Sequence, residues 1–508
     1  MGIVIGVDVG TSGTKAVAID AKGKQVASAL VEYPLLTPKP GWAEQDPADW
    51  VRAAYEALKR LASAPGVNPS DVKGIGLTGQ MHGSVFLDAD NKVLRNALLW
   101  CDQRTAPQCE AITSKVGEKK LIEMVCNPAL TGFTAPKILW LRDNEPAVFE
   151  KVRKVLLPKD YIRFVLTGEF ATDVADASGT LLFDVKNRTW HKELMSILGI
   201  PADFVPRAFE GPEVTGTLSK EAAAKTGLPA GIPVVAGGGD QAAGGVGCGI
   251  VRPGVISSTV GTSGVVFAFA EKVSLDPQGR VHTFCHSVPG KWHVMGVVLS
   301  AGGSLRWYRD ALCQSEKAVA SETGRDPYEY ITAEAATVAP GAEGLTFLPY
   351  LTGERTPHKD PYAKGAFVGL SLRHGRAHMA RAVLEGVAFA MRDSLEIMRE
   401  MGVPIKQVRA SGGGAKSAVW RQIQADINKA PLVMTNIDEG PAYGAALLAT
   451  VATGMYTSIE EACDAIISVV DACEPNGSLA SVYDSWFALY QDTYKALAPG
   501  FERAARLL

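Results

Sequence analysis

The sequence predicts an α/β protein of two large domains that contain the same strand–turn–strand unit. The pentapeptide Val-Gly-Thr-Ser-Gly occurs at residues 9–13 and again at 260–264, once in each half of a 508-residue chain. Each copy follows a short apolar, β-branched run and leads into another. Because one hydrophobic core rarely serves a chain of this length, two domains are expected.

The first half starts with strands and continues with a helix and a further strand, an order typical of an α/β layer. The pattern predicts a β-hairpin around the first pentapeptide and a third strand near residues 26–33. A helix opens at Asp46, which caps it, with Pro47 at the first helical position. Helical spacing continues to the break at residues 64–66, and residues 72–78 return as a strand.

Further along, residues 158–167 and 219–226 are helical by composition, and residues 201–216 are expected to be irregular. The segment 228–233, Leu-Pro-Ala-Gly-Ile-Pro, is the predicted linker, and a new strand follows it at residues 234–236. The predicted domains are therefore residues 1–233 and 234–508.

The second half has the second pentapeptide and then a hairpin that turns at residues 289–290. The longest helix is predicted over residues 378–401, where an apolar stripe indicates core packing and Gly402 ends the helix. A strand at 407–410 enters the triple glycine at 412–414, and a helix follows over 415–428. Residues 440–452 form a helix of small side chains, suited to close packing.

Composition excludes several classes of protein. Hydrophobic residues make up 47% and charged residues 21% of the chain, and the net charge is −3. There is no basic footprint for nucleic acid or anionic membrane. The most apolar segment, residues 231–256, is rich in glycine and contains Asp240 and Arg252, so it is not expected to span a membrane. Eight cysteines without a C-x-x-C pair indicate reduced thiols. A soluble, cytoplasmic enzyme is expected.

The glycine turns have a specific chemical use. Glycine permits positive φ and lets backbone N–H groups approach an anion, while Thr and Ser hydroxyls add donors. Two such turns, one in each half, predict a nucleotide phosphate chain held from both sides of a cleft. For either copy alone, an ordinary hairpin turn is the alternative.

Two isolated acids accompany these turns. Asp8 is the only acid in the first nineteen residues, and no acid follows Asp240 through residue 270. A carboxylate in apolar surroundings is costly unless it is paired, hydrogen-bonded or bound to a cation. Together with the phosphate-type turns, the two acids are expected to serve phosphoryl transfer, one as a Mg²⁺ partner and the other as a base. Capping of a turn is the alternative for each.

Polar groups at strand ends suggest a sugar ligand. Gln80 and His82 lie between glycines after a strand and suit a polyhydroxylated ligand, although a single His is more often structural. Trp100 and Asp102 combine a flat apolar face with a charge, as sugar sites do. The alternative for that segment is a surface turn with an internal ion pair to Arg104.

Sequence motifs of other enzyme classes are absent or incomplete. The chain contains neither G-x-x-x-x-G-K-[ST] nor G-x-S-x-G. The relaxed dinucleotide pattern at residues 237–242 lacks the acid expected about twenty residues later. One set of side chains has the composition of a metal site but is explained by alternation on a hairpin: His282, Cys285, His286 and His293.

Longer motifs carry a family resemblance. The first motif is Gly6-x-Asp8-x-Gly10-Thr11-Ser12, the second spans residues 132–144, and the third runs from 365–370 through 378 to 382–385. On these motifs the chain resembles the FGGY carbohydrate kinases across its full length. The resemblance implies two duplicated actin/hexokinase-like (ribonuclease H-like) domains, with MgATP and a sugar in the cleft between them.

The resemblance also implies roles for residues. Asp240 is expected to be the general base, and Asp8 to lie beside Mg²⁺, directly or through water, and beside the transferring phosphoryl group. The expected sugar contacts are Met81, His82, Gln241, Trp100 and Asp102. The expected ATP contacts are Thr11, Ser12, Gly13, Lys15, Gly261, Thr262, Gly302, Gly413, Gly414, Ser417 and Ala418. Ala418 departs from several relatives, which have a polar residue near adenine.

The sugar is inferred from fewer residues. Residues 80–83, with residues 42–47 upstream, resemble family members that phosphorylate D-xylulose, whereas those acting on glycerol have Arg-Glu at 81–82. The expected reaction is ATP-dependent phosphorylation at the C5 hydroxyl, giving D-xylulose 5-phosphate and ADP. Alternatives are a kinase for ribulose, a tetritol or gluconate, an actin-like chaperone or filament ATPase, and a catalytically silent binding protein. Neither nucleic acid nor membrane is an expected partner, and the helix at 440–452 suggests a homodimer contact.

Overall fold

The computed structural model describes residues 2–437 and 440–507. Two seven-stranded sheets dominate it, one in each half of the chain. The strands of the first half are β1 Ile3–Val9, β2 Gly13–Asp20, β3 Gln25–Glu32, β4 Glu44–Gln45, β5 Val72–Gly79, β6 Val85–Leu87, β7 Ala97–Leu98, β8 Lys154–Leu156, β9 Ala171–Asp173, β10 Phe183–Asp184, β11 Thr189–Trp190, β12 Arg207–Phe209, β13 Val214–Thr217, β14 Pro233–Val235 and β15 Gly238–Gly239.

The helices of this half are α1 Pro47–Ala62, α2 Ala106–Val116, α3 Glu118–Val125, α4 Thr134–Asn144, α5 Pro146–Phe149, α6 Pro158–Thr167, α7 Val174–Ser178, α8 Lys192–Leu198 and α9 Lys220–Thr226. The Asp46 side chain caps α1 by accepting from the Ala48 N–H, as expected. The expectation of irregular chain over 201–216 is wrong in part, because β12 and the start of β13 lie there. Their pairing with distant strands, which a local pattern does not reveal, makes them strands.

The second half has strands β16 Gly254–Val260, β17 Gly264–Ala270, β18 His282–Cys285, β19 Trp292–Val298, β20 Thr346–Leu348, β21 Ala366–Val368, β22 Ile405–Ser411, β23 Leu432–Thr435 and β24 Val469–Cys473. Its helices are α10 Asp240–Gly247, α11 Gly302–Leu312, α12 Gln314–Thr323, α13 Pro327–Ala336, α14 Arg376–Glu400, α15 Ala418–Asn428, α16 Pro441–Ala452, α17 Ile459–Ile466 and α18 Ala480–Ala505. Short 3₁₀ turns occupy Pro69–Asp71, Ala202–Phe204, Ala342–Gly344, Gly413–Ala415 and Gly477–Leu479.

The two sheets repeat one arrangement, which confirms the predicted duplication. In the first sheet, β1, β2 and β3 form an antiparallel meander, and β5 runs parallel to β1. In the second sheet, β16, β17 and β19 form the same meander, and β22 runs parallel to β16. Each pentapeptide is the turn between the first two strands of its sheet. The first sheet draws strands from both sides of the predicted division at 233/234, since β14 and β15 join it beside β5.

Helices α10 and α16 lie between the two sheets and link them. One continuous core contains Val4 and Val17 of the first sheet, Phe267 of the second, Val246 of α10 and Leu447 of α16. Helix α16 belongs to the second half by sequence but packs on β1 and β5. The suggestion that this helix supports a homodimer is therefore wrong, because its apolar side chains are already buried within the chain. None of the described helices combines the length and apolarity that crossing a bilayer requires.

The backbones of β1 and α16 are in close contact, and this contact leads to a prediction about stability. A Cβ at Gly6 would lie 1.8 Å from the Ala442 carbonyl oxygen on α16. We expect Gly6→Ala to lower the free energy of unfolding by about 1–3 kcal/mol, since the helix must move away from the sheet. Urea unfolding measures this difference. Gly477→Ala is the control, because a Cβ there meets nothing within 4 Å. Equal stability of the two variants would contradict the close packing of α16.

Candidate active site

The two isolated acids lie side by side at one edge of the first sheet. Strands β1, β5 and β15 are adjacent and parallel, and their register aligns Asp8 with Thr78 and Thr78 with Gly238. Asp8 is thus close to the carboxyl end of β1, and Asp240 directly follows β15 as the first residue of α10. Parallel strands place their carboxyl ends together, where α/β proteins bind ligands. The fold therefore unites two residues that are far apart in sequence.

The electrostatics of the two carboxyl groups agree with this placement. Burial raises the pKa of Asp8 to about 7, with a further rise from the charge of Asp240 and a lowering contribution from Lys15, which faces Asp8 on β2. Burial also raises the pKa of Asp240 to about 6, against side-chain and backbone hydrogen bonds with Gln241. Two acids with raised pKa values in a cleft are typical of catalytic sites.

Asp8 has the features of a cation ligand. Its Oδ1 atom is buried and has no hydrogen-bond partner among the described residues. Mg²⁺ is commonly held by one or two carboxylates, several waters and the substrate phosphates. Within residues 2–437 and 440–507 there is no cluster of three or more ligating side chains for a metal. The donor set therefore fits a Mg²⁺ ion that arrives with nucleotide, rather than one held by protein alone.

Side-chain hydrogen bonds hold the first glycine turn in place. Gln45 Nε2 donates to the Thr11 carbonyl at 2.7 Å, and Gln80 Nε2 donates to Gln45 Oε1 at 2.9 Å. The Thr11 hydroxyl donates to Gln80 Oε1, and the Tyr33 hydroxyl donates to the Gly10 carbonyl. Gln80 thus supports the turn, so the hypothesis that its amide binds sugar is wrong. The turn itself presents Thr11, Ser12 and Gly13 next to Asp8.

The second glycine turn forms one side of a cavity of about 480 Å³ in the second half. Backbone bonds join it to α11: the Gly302 N–H donates to the Gly261 carbonyl and the Gly303 N–H to the Thr262 carbonyl. The predicted nucleotide contacts that line the cavity are Gly261, Thr262, Gly302, Gly413, Gly414 and Ser417. Leu305, Tyr328 and Trp420 supply apolar lining. Ala418 is exposed at the start of α15 and is not part of the lining.

Met81 and His82 lie beside Asp240. A Cβ on Gly239 would overlap the Met81 side chain, so Met81 packs directly against the residue before Asp240. His82 has a left-handed backbone, with φ of 68°. Its Nδ1 is 2.7 Å from the Gly179 carbonyl, which only accepts, so this nitrogen carries the proton and Nε2 is an acceptor. Burial and nearby cations hold the pKa of His82 well below its usual value, so the ring is neutral.

Trp100 and Asp102 occupy different environments. The Trp100 indole N–H donates to the Thr11 hydroxyl at 3.0 Å and its ring is partly exposed. Asp102 is fully buried, pairs with Arg104 at 2.7 Å and accepts from the Ala43 N–H. The internal ion pair of the alternative interpretation is thus present, although it is not on the surface. A part for Asp102 in sugar binding stays a prediction.

Sequence reasoning missed Lys137 of α4. Its Nζ donates to the carbonyls of His82 at 2.8 Å and Gly132 at 2.6 Å, and the side chain is fully buried. Burial lowers the pKa of Lys137 to about 7, against the attraction of Asp102. The signal was available, since a lysine followed by Ile-Leu-Trp-Leu in an apolar helix is unusual. Its bond to the His82 carbonyl ties that left-handed residue to α4.

The fold and the site together define a phosphotransferase of the actin/hexokinase-like class. Residues 3–247 match the model of the FGGY family of carbohydrate kinases, N-terminal domain, and residues 256–453 match the model of the C-terminal domain. The chain therefore belongs to the FGGY family of carbohydrate kinases.

Individual relatives agree with this assignment. The xylulose kinase of Bacillus subtilis (strain 168) is 40% identical over 494 residues, which cover 97% of each chain. The xylulose kinase of Escherichia coli (strain K12) is 43% identical over 458 residues, covering 90% of this chain and 91% of that one. A crystal structure described as a "xyloylose kinase" from Brucella ovis superposes with a TM-score of 0.89 at 38% identity, over 98% of this chain and 99% of that chain.

Proposed function

We propose that this chain transfers the terminal phosphoryl group of ATP to the C5 hydroxyl of D-xylulose, giving D-xylulose 5-phosphate and ADP. The observation that carries the proposal is the adjacent placement of Asp8 and Asp240, with the first glycine turn on one side and Met81 on the other. The identity of the sugar is inferred from the names of the relatives described above. We also infer a cytoplasmic location, since all eight cysteines are free.

Each group of residues has a separate role in the proposed reaction. Asp240 accepts the proton of the C5 hydroxyl as its oxygen forms a bond to the terminal phosphorus, and ADP leaves with the electrons of the broken P–O bond. Backbone N–H groups and hydroxyls of the two glycine turns bind phosphate oxygens. Asp8 would hold Mg²⁺, which would supply positive charge to neutralise the phosphates.

On the acceptor side, Met81 packs against the sugar, and His82 Nε2 accepts a hydrogen bond from a sugar hydroxyl. Gln241 holds the Asp240 carboxylate through its side chain and backbone. Trp100 adds an apolar face beside the first turn. Closure of the two halves around the sugar excludes water, which would otherwise compete as phosphoryl acceptor.

A coupled assay of ADP release tests the proposal. We expect release with D-xylulose to exceed that with glycerol, L-ribulose and gluconate. Faster release with L-ribulose, gluconate or a tetritol would replace D-xylulose with that acceptor and keep the kinase class. ATP hydrolysis at the same rate without any sugar would instead support an actin-like ATPase.

A further inference from the structure

Arg355 is a partly buried residue to which neither the sequence motifs nor the reaction assigns a role. It lies in the segment between β20 and β21, which is docked onto the second sheet. The Thr356 N–H donates to the Val297 carbonyl at 3.0 Å, and the Val297 N–H donates to the Thr356 hydroxyl at 3.1 Å. These reciprocal bonds fix the position of Arg355 relative to the end of β19.

Glu354 fixes the same segment from the other side. Its Oε1 accepts from the Leu299 N–H at 2.9 Å and from the Arg355 N–H at 2.7 Å. Burial raises the pKa of Glu354 to about 8, so this carboxyl group is largely protonated at neutral pH. Glu354 therefore sets the backbone and forms no ion pair with the Arg355 guanidinium, and its attraction offsets only part of the effect of burial on the Arg355 pKa.

The guanidinium itself has no hydrogen-bond or ion-pair partner among the described residues, although burial lowers its pKa. Arg355 is partly buried, and none of its nitrogens is among the fully buried polar atoms without a partner, so its donors stay accessible to a ligand. An arginine presents five N–H donors, and a desolvated cation without partners is costly. Such a group is expected where a ligand supplies the acceptors.

Arg355 lies beside the start of β18, because the Thr356 hydroxyl also donates to the Arg280 carbonyl at 3.0 Å, two residues before His282. Arg355 lowers the pKa of both His82 and His282, after the larger effect of burial. Both imidazole rings contact Phe133, and these three side chains continue from Met81 as one surface, called here the sugar wall. At the other end of this wall, Met81 packs against Gly239, the residue before Asp240. Arg355 is thus at the His282 end of the wall, whereas Asp240 is at the Met81 end.

We propose that Arg355 is a substrate-contacting, specificity-determining residue that donates hydrogen bonds to sugar oxygens at the end remote from the phosphorylated hydroxyl. In D-xylulose these are the C2 carbonyl and the C1 hydroxyl, so the identification of the atoms rests on the proposed function. His82 and Arg355 complement each other toward a sugar, because His82 Nε2 accepts hydrogen bonds whereas the Arg355 guanidinium donates them. A planar guanidinium fork suits two neighbouring oxygens.

The test compares Arg355→Met with wild type on D-xylulose and on 1-deoxy-D-xylulose, which lacks the C1 hydroxyl. We expect Arg355→Met to raise KM for D-xylulose about 10- to 100-fold and to leave KM for ATP unchanged. Wild type is expected to lose kcat/KM on the deoxy sugar, whereas the variant loses little more. Arg355→Lys, which keeps the charge but not the fork, is expected to recover only part of the sugar affinity.

Arg373→Met is the matched control, since Arg373 pairs with Glu343 on the surface. An equal deoxy-sugar penalty in wild type and Arg355→Met, or a parallel rise in KM for ATP, would overturn the assignment. Failure of the proposed function is distinguished from failure of this assignment by the wild-type protein, which would then not release ADP with D-xylulose. Arg355 is then tested with the acceptor that the panel identifies and its deoxy analogue, and an unchanged acceptor KM in Arg355→Met would overturn its role.

Discussion

Replacing Asp240 with asparagine or alanine is expected to reduce kcat by about 10²–10⁴-fold while nucleotide binding is largely kept. Either substitution removes the group that takes the proton from the acceptor hydroxyl in the proposed reaction. The nucleotide cavity lies in the second half, and Asp240 is not part of its lining. Steady-state ADP release measures kcat, and isothermal titration with ADP measures nucleotide affinity.

Asp464→Asn is the control for the Asp240 variants, since Asp464 forms an exposed ion pair with Arg252. Its activity is expected to equal that of wild type. Near-normal turnover in Asp240→Asn would remove Asp240 as the base. A large loss of ADP affinity would mean that the substitution disturbs the cleft rather than the chemistry.

The same assignment predicts how activity depends on pH. A general base works only when deprotonated, so kcat/KM should fall as pH drops through about 6, the raised pKa of Asp240. An ordinary aspartate would give this fall about two pH units lower. Asp8 and Asp240 interact, so the profile reports the pair rather than one residue. A profile flat down to pH 5 would contradict a base with this pKa.

Lys159→Met is expected to lower the free energy of unfolding by about 3–5 kcal/mol. The Lys159 Nζ lies 2.5 Å from Asp160, 2.6 Å from Asp173 and 3.2 Å from Asp176, and all four side chains are at most 1% exposed. Removal of this cation leaves three buried carboxyl groups with only Arg163 nearby. The pKa of Asp176, already raised well above its usual value by burial, would rise further.

This charged cluster also supports the site, so Lys159→Met should impair activity in the protein that remains folded. Arg163 donates to the carbonyls of Val235 and Ala236 at 2.6 and 2.5 Å, just before the glycines that precede Asp240. Asp173 caps α7, after which Gly179 accepts from His82. Urea unfolding measures stability. Lys225→Met, which breaks an exposed pair with Glu221, should change little. Similar stability of both variants would contradict the role of the cluster.

Local pattern determined much of the fold. The repeated pentapeptide predicted two equivalent turns, and both sheets have them. Helix α6 has the predicted bounds, because proline at its start and Gly168 at its end are local signals. Helix α15 begins three residues later than expected, since a 3₁₀ turn at Gly413–Ala415 precedes it. Isolated acids in apolar surroundings were enough to single out Asp8 and Asp240.

Only the tertiary structure decided which of these groups meet. The juxtaposition of Asp8 and Asp240 depends on parallel pairing of β5 with both β1 and β15, and strand pairing across more than 150 residues leaves no local periodicity. The burial of α16 between the sheets and the place of Arg355 beside the start of β18 have the same cause. Sequence spacing determines helices, strands and turns, because these depend on neighbours along the chain. Sites and interfaces depend on contacts between distant segments, which only packing establishes.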